Sequence, residues 1–69
     1  MFNSIMSVHK FKVGDTVFVG AARNLNIPGG AYMITAALPE RDGEFEYRLR
    51  NTREPHERVM AESQLSPTP

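Results

Sequence analysis

Four arginines, Arg48, Arg50, Arg53 and Arg58, carry the clearest chemistry in this chain. A guanidinium is a rigid fork of donors that grips a phosphate or carboxylate with two parallel hydrogen bonds, which lysine cannot do. Arg48 and Arg50 stand two apart in the alternating run Glu44-Phe45-Glu46-Tyr47-Arg48-Leu49-Arg50, so they share one outward face. Arg53 and Arg58 flank the loop into the next strand, and pairing of the two strands brings all four toward one anion. Lys10 and Lys12 extend the set. The plainer outcome is neutralisation, because Glu44, Glu46, Glu54, Glu57 and Glu62 are interspersed with the arginines, and surface ion pairs of that kind contribute little.

His9 and His56 are the only imidazoles, and Glu54-Pro55-His56-Glu57 sets carboxylates beside the second. General-base or metal chemistry needs more than this, since a zinc site requires further ligands at defined spacing. No nucleophile–His–acid signature is present, and no phosphate-cradling glycine loop leads into a helix. The sequence predicts no catalytic residue, no metal and no cofactor. A second set of contacts lies in the segment 20–30, where Arg23, Asn24 and Asn26 are polar and Leu25 and Ile27 are apolar anchors. Either these two apolar residues grip a partner or they plug the end of the domain, as small cores recruit every apolar side chain within reach.

Composition narrows the classes. The chain has 69 residues, zero formal net charge, and no cysteine or tryptophan. Val, Ile, Leu and Phe make up 16 of the 69 residues, above the roughly 20% below which chains stay disordered. One small domain is expected, burying only about 60% of its unfolded surface and leaving little room for a deep, dry catalytic pocket. Cysteine-based zinc, thiol and disulfide chemistry is excluded, which fits a cytoplasmic protein. Zero net charge removes the general positive field on which nonspecific nucleic-acid binding rests. No basic leader precedes Lys10, Met6 offers a second start, and no run approaches the ~20 apolar residues of a membrane span.

These side chains need a frame, and the pattern supplies one of strands. Residues 1–10 show no period and are expected to form a flexible arm. Phe11, Val13, Val17 and Val19 alternate around a turn at Gly14-Asp15, and period two with β-branched residues means strand. Pro28-Gly29-Gly30 ends the long loop as a turn. Residues 31–38 form the second strand, with Tyr32, Ile34, Ala36 and Leu38 on one face; residues 39–43 form the hairpin connection, with Asp42-Gly43 suited to left-handed backbone. Residues 44–50 are the best-defined strand, with Phe45, Tyr47 and Leu49 inward. A fourth strand spans 57–62 with Val59 and Ala61 on one face, and residues 61–65 make a 3₁₀ turn that seats Leu65. Residues 66–69, Ser-Pro-Thr-Pro, are expected to be a disordered tail outside the sheet. The fold class is all-β, a small half-open barrel of four to five short antiparallel strands with one 3₁₀ turn.

The run Phe11-Lys12-Val13-Gly14-Asp15-Thr16-Val17 resembles the opening of small SH3-like barrels. Residues Glu57 to Leu65 are similar to the strand, 3₁₀ turn and final strand that close them, so the resemblance covers 11–65. Tyr47-Arg48-Leu49-Arg50 and His56-Glu57-Arg58-Val59 also resemble short, uncharacterised bacterial proteins of this type, from which no activity carries over. The peptide-binding members grip polyproline with tryptophan and an acidic first loop, and this chain has neither. Nor does it offer the outward aromatics from which tudor-like relatives build a cage. The resulting expectation is a non-catalytic binding module that recognises a protein segment through a groove between the 20–30 loop and the 38–44 hairpin, or through a strand edge. Its contact residues are Arg23, Asn24, Leu25, Arg48, Arg50, Arg53 and Arg58. The alternatives are weak nucleic-acid binding through the arginine patch and service as an accessory subunit of an enzyme.

Overall fold

The computed structural model describes residues 8–20 and 27–68. In chain order the elements are β1 (Thr16–Val19), β2 (Gly30–Arg41), β3 (Glu44–Arg50), β4 (Arg58–Ala61), a 3₁₀ turn at Glu62–Gln64, and β5 (Leu65–Pro67). All pairings are antiparallel within one five-stranded sheet of order β4-β3-β2-β1-β5. The expected all-β class, strand number and 3₁₀ turn are therefore present.

β2 is the pivot. Its first residues pair with β1 (Val19 opposite Gly30, Thr16 opposite Met33), and from Met33 onward it pairs with β3. Two register shifts, between Ile34 and Ala36 and between Leu38 and Glu40, fall in that second half. An extra residue in one strand bends it and increases its twist, which lets a single sheet curl around its own inward side chains. The core consists of Phe11, Val17, Val19, Tyr32, Ile34, Tyr47, Leu49, Met60 and Leu65, with Ile27 and Phe45 packed against it. Ile27 thus pins the end of the long loop to the core, as its apolar character suggested. Leu25 lies outside the described residues.

Four local expectations are corrected. The hairpin connection is shorter than 39–43: β2 continues to Arg41, opposite Glu44, and the turn is Asp42-Gly43 with both residues at positive φ (53° and 82°), the geometry that matches strand twist in a two-residue hairpin. Pro39 is accommodated because the second register shift passes over it, so its missing N–H is not needed in the ladder. In β4 the inward residue is Met60 and not Val59, since Met60 pairs with inward Tyr47 and Val59 with outward Arg48. The tail joins the sheet through β5, with Ser66 opposite Phe18 and Pro67 opposite Val17. Proline is tolerated there because β5 is the edge strand of the sheet formed by the described residues.

The fourth correction concerns the arm. Residues 1–7 lie outside the described residues, but His9 and Lys10 are held in place. The His9 ring stacks on Phe45 at 3.9 Å between centroids, and its Nε2 donates to the Leu38 carbonyl at 2.7 Å. The Lys10 N–H donates to Glu62 Oε2 at 2.9 Å and the Phe11 N–H donates to the Tyr47 hydroxyl at 3.2 Å. The same hydroxyl donates to Glu62 Oε2, so one Tyr–Glu pair clamps the start of the domain to β3 and the 3₁₀ turn. Burial pushes the Tyr47 phenol up, reinforced by its bond to Glu62, while that bond and the Lys10 N–H hold the Glu62 carboxyl down.

Candidate functional site

The outward face of the sheet is built by the same alternation that fills the core. In β1 Val17 and Val19 turn inward, which leaves Phe18 outward and 48% exposed. In β2 Tyr32 and Ile34 turn inward, which leaves Met33 outward and 46% exposed. Phe18 pairs with Ala31 and Thr16 with Met33, so Phe18 and Met33 are diagonal neighbours, close enough for long side chains to meet. Met33 in turn lies directly opposite Arg50 of β3. Phe18, Met33 and Arg50 therefore form one continuous outward patch across three strands.

Arg50 stands apart from the other arginines. Arg48 shares its outward face, as expected, but pairs with Glu57 at 3.6 Å. Arg58 lies opposite inward Leu49 and spans both oxygens of Glu54, with Nε donating to Oε1 at 3.0 Å and Nη2 to Oε2 at 2.6 Å. That fork is the main reason the Glu54 carboxyl titrates below the usual carboxylate range and the Arg58 guanidinium above its own. Arg53 donates through Nη2 to the Gly29 carbonyl at 3.0 Å and serves as a strut to the long loop. Gly30 has φ +128°, and a Cβ there would stand 2.8 Å from Arg53 Nη2, so the strut approaches a position that suits glycine. The Arg50 side chain makes no ion pair or hydrogen bond among the described residues. Three of the four arginines are engaged within the molecule: two of the expected glutamate partners bond Arg48 and Arg58, and Arg53 turns to backbone.

The expected loop–hairpin groove is not the feature that the described residues display. Arg23, Asn24 and Leu25 fall outside them. The root of the loop at Gly30 and the hairpin turn at Asp42-Gly43 stand at opposite ends of β2, a twelve-residue strand that covers up to about 40 Å when extended.

An open cleft of about 480 Å³ lies instead beside Arg50, lined by Met33, Arg50, Asn51, Thr52 and Glu54. Asn51 is 7% exposed, its Oδ1 accepts the Arg53 N–H at 2.9 Å, and its Nδ2 is buried without an acceptor among the described residues. Sequence reasoning passed over Asn51, yet a signal was there: the inward alternation Phe45, Tyr47, Leu49 lands next on Asn51, a polar side chain at a core-facing position. Glu54 and Arg58 likewise carry a readable four-residue spacing. His56 is 62% exposed and 3.9 Å from Glu54. Among the described residues no group of three or more His, Cys, Asp or Glu could hold a metal ion, and no helix is long and apolar enough to cross a membrane. No family model matches the chain, and neither a curated protein nor a solved structure matches it.

Proposed function

We propose that the chain is a small SH3-like barrel acting as a non-catalytic binding module, and that it receives a protein segment of mixed apolar and acidic character on the outward face of β1, β2 and β3. The observation that carries this reading is the continuous Phe18–Met33–Arg50 patch. Single exposed apolar residues are ordinary on any surface, but here an aromatic and a methionine adjoin on neighbouring inner strands, next to a guanidinium without a partner among the described residues. Aromatic residues, methionine and arginine are the types enriched at protein interfaces. The strand order and the 3₁₀ turn before the last strand support the barrel type. Engagement of Arg48, Arg53 and Arg58 inside the molecule favours a protein partner over a phosphate backbone.

The test is a two-dimensional amide NMR titration with acetylated peptides that alternate glutamate with leucine or phenylalanine. Saturable shifts at Phe18, Met33 and Arg50, abolished by Phe18→Ser and persisting at moderate salt, are expected. Unchanged binding by Phe18→Ser refutes the face. Binding of a single-stranded oligonucleotide that weakens steeply with salt replaces the reading with nucleic-acid recognition.

A further inference from the structure

We infer that the cleft beside Arg50 is a carboxylate site, and that the group it takes is the C-terminal carboxylate of a partner segment ending in an apolar residue. This deepens the protein-segment reading above and rests on it. The cleft falls within the roughly 300–1,000 Å³ typical of small-ligand sites and is large enough, at about 480 Å³, for a terminal residue. Its charge is legible. Glu54 has both oxygens occupied by Arg58, so that pair cancels and Arg50 leaves the walls with one net positive charge. A single guanidinium suits a monoanionic carboxylate, whereas phosphate sites gather several cations.

Donors dominate the rest of the wall. Among the described residues nothing engages the Arg50 fork. Asn51 lines the cleft as a buried side chain fixed by its Oδ1, which accepts the Arg53 N–H. Thr52, a residue that carries a hydroxyl, also lines the cleft. Met33, opposite Arg50, is the apolar wall and continues into Phe18. Charge and apolar surface thus adjoin, which matches a terminal residue, where the carboxylate and the side chain leave the same carbon. An internal Asp or Glu offers a carboxylate without that adjacent apolar group.

The experiment compares acetyl-Gly-Val-Leu with a free C-terminus, the same peptide as its C-terminal amide, acetyl-Gly-Glu-Leu-amide and inorganic phosphate, followed by the amide resonances of the intact protein. The free acid is expected to give saturable shifts at Arg50, Thr52 and the Asn51 side-chain amide. Loss of one charge-assisted pair should weaken the amidated peptide by about tenfold to a hundredfold. The internal-glutamate peptide should behave like the amide, and Arg50→Gln should abolish the preference for the free acid while resonances far from the cleft stay in place. Equal binding of free acid and amide overturns the inference, as does equal binding of the internal glutamate or tighter binding of phosphate. If the amide still shifts Phe18 and Met33 with no gain from the free acid, the carboxylate site falls and the protein face stands. If no peptide moves Phe18 or Met33, both fall.

Discussion

Replacing Tyr47 by Phe keeps the buried ring and its edge contacts to Phe11 and His9 but removes the hydroxyl that joins three parts of the chain. Two bonds are lost: the Phe11 N–H loses its acceptor, and Glu62 loses a donor. An ordinary hydrogen bond contributes about 0.5–1.5 kcal/mol and one to a charged group about 1.5–3 kcal/mol. The buried Phe11 N–H is also left unsatisfied, so Tyr47→Phe should cost about 2–4 kcal/mol at pH 7. A domain of this length holds roughly 3–10 kcal/mol in total, and with a urea slope near 1 kcal/mol/M the midpoint should fall by roughly 2 M or more. The pH dependence gives a second check. The Glu62 carboxyl is held below its ordinary range in the folded protein, so its contribution is present above the unfolded pKa and is lost as pH falls through the folded one. Urea titrations at pH 7 and pH 3 should therefore show the gap between wild type and Tyr47→Phe narrowing in acid, because the unfolded carboxyl takes up its proton there and the contribution of the charged bond declines. Glu62→Gln should reduce the effect of Tyr47→Phe by about 1–2 kcal/mol in a double-mutant cycle. A gap under about 0.5 kcal/mol at pH 7, or one that does not change between pH 7 and pH 3, would refute the clamp. Tyr47→Ala, which also deletes the ring, should cost about 3–5 kcal/mol and leave little folded protein.

Met60→Ala should cost about 2–5 kcal/mol because Met60 is buried opposite Tyr47, whereas Val59→Ala on the exposed face should stay within about 0.5 kcal/mol; thermal melts that rank them the other way reverse the facing of β4. Gly30→Ala should destabilise by about 1–3 kcal/mol, since φ +128° is strained for any side chain and Arg53 Nη2 must also move; an unchanged melting temperature removes the strut from consideration. Glu54→Gln should flatten the loss of stability on acidification, because the Glu54 carboxyl is depressed by Arg58 and its contribution is present above the ordinary carboxylate pKa and lost below it; an acid transition identical to wild type contradicts the pair. Removing residues 66–69 should cost about 1–2 kcal/mol through the lost β5 pairing beyond Leu65, a loss visible in the urea midpoint; no loss means that β5 ends at Leu65.

Alternation alone determined the class of the fold. A side chain on a strand must point to one face or the other, so Val17, Val19, Tyr32, Ile34, Tyr47 and Leu49 were assignable to the core from spacing, and Asp42-Gly43 was assignable to the turn from the φ values those residues tolerate. The outward placement of Arg48 and Arg50 followed from the same period. Partner choice did not. Whether a guanidinium meets Glu57, Glu54, the Gly29 carbonyl or solvent depends on which strand and loop stand beside it, and nothing local to Arg48, Arg58, Arg53 or Arg50 distinguishes those outcomes. Register had the same character: Met60 faces inward only because it falls opposite Tyr47, and a slip of one residue would have turned Val59 to the core instead. The attachments of His9 and of Ser66-Pro67 are not legible in the sequence, because proline content and lack of period describe a segment in isolation. An edge position beside β1 admits Pro67, and an aromatic shelf at Phe45 admits His9. The cleft exists only where the end of β3, the loop after it and the outward face of β2 meet, three pieces separated in sequence and joined by strand pairing.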